Sequence, residues 1–248
     1  MNISFSIKRI ILFLAVMFCV GMSQNLQAQI SFEHPSLKNL NISQNSASES
    51  VNNLTVSHFK VIAINNNIVE LEGGLAIDIS NAQNIVDGRS IEVGDKISAE
   101  GDVISDPRYS TLVKAEDFVV FKNRDVEFDG VVQQVNNDSI VILNQKILLN
   151  QNTIISNPQN LRVGQTVFAY TESLSQGFVA HRIGVLPDDD DGDTSIVANI
   201  TSVNDRKLSL VGGFSANLSP EKFNLLQKLT RGNLVGTTVR MQLKGSIS

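Results

Sequence analysis

Gly130-Val131-Val132-Gln133-Gln134-Val135-Asn136-Asn137-Asp138-Ser139-Ile140-Val141-Ile142-Leu143 opens a stretch that ends at Val163-Gly164, and its reading decides the fold. A strand rich in valine runs to Val135, breaks at Asn136-Asn137-Asp138, and a second apolar strand runs from Ser139 to Leu143. A third short strand is expected around Lys146 to Leu149, and Val163-Gly164-Gln165 leads into a fourth. Asn and Asp tolerate positive φ and bond to their own backbone, so the break reads as a hairpin turn. The same events occur twice more. Ile64-Asn65-Asn66-Asn67 precedes Val93-Gly94, and Val203-Asn204-Asp205-Arg206 precedes Val235-Gly236. The copies start about 70 residues apart, longer than a solenoid repeat of about 20–50. Each is large enough for a small core of its own.

Working outward, repeat one (54–122) has expected strands at Val56–Ile64, Ile68–Leu71, Leu75–Ile79, Asp95–Ile104 and Leu112–Phe121. Repeat two (126–186) has them at Asp129–Val135, Ser139–Leu143, Lys146–Leu149, Gln165–Thr171 and Phe178–Val185. Repeat three (195–248) carries a helix after its third strand. Ser219 reads as its N-cap, Pro220 as its first residue, and Phe223, Leu226 and Leu229 form its apolar stripe. Its fourth strand is expected at Thr238 to Lys244, and only Ile247 hints at a fifth. The order strand, strand, strand, helix or loop, strand, strand is that of a small five-stranded Greek-key barrel of the OB type. An unclosed meander or small sandwich is the competing architecture. The expected class is therefore all-β: tandem five-stranded OB-like barrels with one short helix in the third repeat. A last repeat without its fifth strand leaves an edge able to pair with the chain's own leader, another copy or a partner's strand.

The residues that recur resemble a secreted bacterial family, domain-of-unknown-function family 5666. Repeat two carries Gly130-Val131-Val132, Val135-Asn136-Asn137, Val163-Gly164-Gln165-Thr166-Val167 and Ala180-His181-Arg182-Ile183. Repeat one carries Val93-Gly94-Asp95-Lys96-Ile97, Gly101 and Ala115-Glu116-Asp117-Phe118. Repeat three lacks the Ala-x-x-Ile ending. The resemblance implies an exported OB-like module and brings no catalytic residues.

Residues 1–28 read as a secretory signal peptide: Lys8 and Arg9, then apolar Ile10 to Met22, then Leu26-Gln27-Ala28 before a cut at Gln29. An uncleaved anchor is the rival reading. The apolar run is short for a membrane span, and none is expected after cleavage. The only cysteine, Cys19, lies in this segment, so the mature chain carries no thiol. Residues 29–53, rich in Ser and Asn, read as a flexible leader in which Ile30-Ser31-Phe32 is a short apolar piece able to dock elsewhere. These features place the protein in a bacterial periplasm or outside the cell.

A net charge of −5 with two Tyr and no Trp argues against nucleic-acid binding. In the linker 187–194, Asp188 to Asp191 with Asp193 make the one dense charge cluster. Counting back from Gly192, Asp191 and Asp189 fit a calcium loop. Its first position is Pro187, however, and its twelfth is Ala198 instead of a glutamate. A solvated linker and a weak calcium site through Asp189, Asp191 and Asp193 both stand. His34, His58 and His181 are scattered. Glu70 and Glu72 share a strand face and are the weak acid–base pair. Arg162, Arg182, Arg206, Arg231 and Arg240 sit among acidic residues. No catalytic residue and no cofactor are expected. The reading is a non-enzymatic binding or adaptor protein for an envelope protein or glycan, with self-assembly through the open edge as the alternative.

Overall fold

The computed structural model describes residues 17–19, 27–31, 53–86, 88–186 and 194–244; for 17–19, 27–31, 53, 55, 243 and 244 it describes the backbone course alone. The signal-peptide and leader readings therefore fall largely outside the described residues, as do His34, the Asp188–Asp193 cluster and Ile247.

Repeat one forms β3 (Asn53–Asn65), β4 (Ile68–Leu71), β5 (Leu75–Asp78), the short β6 (Gln83–Asn84), β7 (Lys96–Ile104) and β8 (Thr111–Phe121). Each neighbouring pair around β5-β4-β3-β7-β8 is antiparallel, and a parallel β5–β8 pair closes the barrel. Repeat two repeats this. Its strands are β9 (Asp125–Val135), β10 (Ser139–Ile142), β11 (Gln145–Leu148), the short β12 (Ile154–Ser156), β13 (Thr166–Leu174) and β14 (Gly177–Val185). They run β9-β10-β11-β14-β13, and β13 returns to β9. The protein is thus mainly β, with two closed five-stranded barrels of OB connectivity.

The recurring sequence marks have physical reasons. The first hairpin of every repeat carries a β-bulge, with its extra residue at Ile62, Gln133 and Thr201. Each Val-Gly lies in a tight turn whose glycine has φ near 101°, 88° or 84°, the left-handed conformation a type II turn needs. The glycine N–H then donates to the first strand: Gly94 to Val61 O, Gly164 to Val132 O, Gly236 to Ile200 O. The valines before them are exposed, so the turn is set by the glycine. Ala-x-x-Ile and Ala-x-x-Phe also mark bulges. Residues three apart in a regular strand face opposite ways. Here Glu116 and His181 are the inserted residues, and Ala115 with Phe118, and Ala180 with Ile183, all reach the cores.

Repeat three departs from the expected pattern. Its strands are β15 (Ser195–Asn204), β16 (Lys207–Leu210), β17 (Ser215–Asn217) and β18 (Thr238–Lys244), with helix α1 (Pro220–Leu229) between the last two. No fifth strand closes it among the described residues. Its core is not separate either. β9 starts four residues earlier than expected, and along Val126–Asp129 its second edge pairs with β15. Phe128, Phe178 and Phe214 join the two repeats in one apolar core, which also takes Leu226 from α1. Barrel one keeps its own core around Val61, Leu71, Ile77 and Ile97. The helix begins where expected, but the Ser219 side chain makes no capping hydrogen bond. Its Pro220 start, Glu221 in the first turn and buried Leu226 hold it without that cap.

The free edge of β18 is covered. β2 (Gln27–Ser31) pairs with it antiparallel, from Gln27 opposite Lys244 to Ser31 opposite Arg240. β1 (Met17–Cys19) pairs in turn with β2.

Candidate functional site

Two places concentrate polar chemistry: the seam where barrel one meets the sheet β18-β15-β9-β13, and the outer edge of β18. The seam comes from strand alternation. Val126 and Phe128 point into the core, so Asp125, Glu127 and Asp129 line the opposite face, and all three are buried. On β18, Val239 and Met241 face the core while Thr238, Arg240 and Gln242 share the seam face.

Each acid meets a cation. Arg89, from the irregular segment before β7, clasps Asp125 with both terminal nitrogens, one of them 3.1 Å from Oδ1. Lys122 N–H donates to the same carboxylate at 2.7 Å. Arg89 also reaches the Nε2 of His181 at 2.6 Å. Burial and the nearby guanidinium push His181 below its ordinary pKa, so its neutral ring accepts this bond. Burial pushes the Asp125 carboxyl up, against the pull of Arg89. Glu127 lies between Arg240 (3.6 Å) and His58 (3.9 Å). Asp129 lies 3.9 Å from Arg240 and accepts a 2.8 Å bond from Ser195 Oγ. His58 is aimed inward by a bulge in β3, where its φ is 55°, and stands edge-on to Phe121. Arg182 adds a strut from β14, donating to Ile85 O at 2.8 Å.

Lys96 is the strut between barrel one and repeat three. Its Nζ donates to Asn199 Oδ1 and Thr238 Oγ1, each at 2.5 Å, and to Gly236 O. Burial pushes its amine down to about 8, with Glu72 pulling the other way. The unfolded chain therefore binds more protons between pH about 8 and the ordinary 10.5. Stability from this group rises as pH rises through that window. Thermal melts from pH 7.5 to 10.5 are expected to show that rise in the wild type, and Lys96→Met is expected to flatten it.

Breaking the Arg89 clasp has a larger effect. Arg89→Ala leaves Asp125 buried beside His181 without its bidentate partner, at an expected cost of about 3 kcal/mol. Urea unfolding of Arg89→Ala and of Arg89→Ala/Asp125→Asn checks this, because removing the stranded charge is expected to recover part of the loss.

Chemically, the seam is a set of compensated charges. Ser57 Oγ lies 3.0 Å from His58 Nδ1, a nucleophile–base adjacency. The carboxylate on the far side of the ring, Glu127, is 3.9 Å from Nε2 and beyond hydrogen-bonding distance. Among the described residues, no group of three or more His, Cys, Asp or Glu is arranged to hold a metal ion. Asp189, Asp191 and Asp193 lie outside those residues. Glu70 accepts a 2.8 Å bond from Asn65, while Glu72 is exposed just past β4. Of the five arginines singled out, the structure brings Arg182 and Arg240 to the seam; Arg162, Arg206 and Arg231 are exposed. His58 and His181, scattered in sequence, both enter the seam. The acids Asp125, Glu127 and Asp129, with Arg89 and Lys96, were not singled out. Only the acids left a signal, alternating with Val126 and Phe128.

Residues 129–184, the second barrel from β9 to β14, match the family described as Domain of unknown function (DUF5666). No curated protein matches the chain. No helix among the described residues is long and apolar enough to cross a membrane.

Proposed function

We propose that the chain is an exported, non-enzymatic binding protein of the bacterial envelope or extracellular space, and that it takes up an extended segment of a partner protein at the edge of β18. One observation carries this reading. Among the described residues repeat three offers four strands where each closed barrel has five, and its fourth strand accepts an extended segment along five residues of its outer edge. Strand addition draws affinity from main-chain hydrogen bonds and specificity from alternate side-chain positions. A protein strand suits this edge better than a glycan, since a chain without Trp lacks the best sugar-stacking ring. The positive, apolar and small-residue run of Lys8 to Ala28 supports export to the periplasm or beyond.

Installing a photoreactive side chain at Gln242 on β18, and separately at Glu100 on β7, tests the reading in cells. A specific adduct from position 242 alone supports it. The same products from both positions, or none from 242, overturn it. Self-assembly is the second reading, favoured because the segment on β18 belongs to this chain and a second copy offers the same one. A mass that grows with concentration in sedimentation would select it.

A further inference from the structure

This inference rests on the reading of β18 as a strand-accepting edge and concerns its control. We propose that the chain's own segment Gln29–Ser31 is a displaceable plug in that edge and the template for the partner, an extended segment with an apolar residue opposite Met241.

The plug occupies the place of a fifth strand. In the closed barrels the fifth strand runs antiparallel to the fourth, β8 on β7 and β14 on β13. β2 runs antiparallel to β18 in the same way. Its register alternates: Gln29 stands opposite Gln242, Ile30 opposite Met241, and Ser31 opposite Arg240. Met241 belongs to the shared core, whereas Arg240 and Gln242 belong to the seam face. Directly opposite residues in an antiparallel pair share a face. A partner strand therefore needs an apolar residue at the Met241 position and polar ones beside it.

The plug is also short. The expected signal cut after Ala28 falls within β2. It removes Gln27 and Ala28, which stand opposite Lys244 and Leu243, and leaves Gln29, Ile30 and Ser31 in place. Three residues are at the lower limit of strand length. A partner spanning all five positions makes every contact of the plug and adds two. Residues 32–52 join the plug to β3 in one chain, so its pairing with β18 is intramolecular and competes with any free strand. It thus suppresses weak strands and yields to matched ones.

The test uses the full mature chain beginning at Gln29 and a fluorescent peptide of residues 27–34. Ile30→Asp in the protein places a carboxylate opposite Met241 and ejects the plug, with unchanged amide spectra over 125–185 confirming the fold. Fluorescence anisotropy is expected to show the peptide binding the Ile30→Asp chain at least about 10-fold more tightly than the wild type. A peptide carrying the same Ile→Asp change is expected to bind neither. Equal binding to both chains overturns the plug while leaving the edge reading intact. No binding to either chain, with an adduct still captured from position 242, overturns the template. No binding and no adduct overturn both.

Discussion

Gly101→Ala is expected to unfold barrel one and leave the body of barrel two and repeat three folded. Gly101 sits at the β7–β8 bulge, opposite Ala115. A Cβ there would lie 2.1 Å from Lys114 O and 2.7 Å from the Ala115 Cα. Both are backbone atoms, so no rotamer change relieves the clash. Only undoing the bulge would, and the bulge is what lets Ala115 and Phe118 both face the core. The cost is expected to exceed about 4 kcal/mol, in the range reserved for core disruption. A barrel of this size is stable by only about 3–10 kcal/mol. Hydrogen exchange by mass spectrometry checks the outcome. Protection over 54–121 is expected to collapse, with protection over 125–242 retained. Wild-type exchange in barrel one would refute the steric argument.

Phe128→Ala is the complementary case. Phe128 is fully buried in β9 and meets Phe178 edge-on at 4.9 Å and Phe214 at 5.9 Å. Phe178 and Phe214 stack at 5.7 Å. The first contact is within barrel two and the second crosses to repeat three. Truncation removes a large buried ring and leaves a cavity among aromatic neighbours, at about 4 kcal/mol. Because β9 pairs with both β13 and β15, segments 125–186 and 194–242 are expected to lose protection in a single transition. Barrel two melting while repeat three stays protected would show two independent cores.

Most strands were legible because one face of each is buried and the alternation shows it. β4, β7 and β18 lie within a residue or so of their expected places. The Val-Gly turns were legible because only glycine readily adopts the backbone they need. What covers the outward faces was not. Asp125, Glu127 and Asp129 alternate with Val126 and Phe128 like a solvated strand face, so the pattern carries no sign that they are buried. Alternation distinguishes core from non-core; it does not distinguish water from another barrel. Arg89 lies outside any strand and His58 owes its direction to a left-handed kink, so neither carries a periodic signal. The four strands of repeat three among the described residues are those its sequence suggests. The fusion of its core with barrel two depends on a strand pairing between Val126–Asp129 and Ser195–Ala198, which no local pattern encodes.

A cysteine pair reads the occupancy of the β18 edge by the chain's own segment. Cys19 is the only native cysteine, so the chain from Gln29 has none. Ile30→Cys/Met241→Cys places two thiols at register partners, close enough for a disulfide after small adjustment. An occupied edge is expected to give rapid formation of an intrachain disulfide on mild oxidation, against little in the mismatched pair Ile30→Cys/Lys207→Cys. Equal, slow oxidation of both pairs would contradict it.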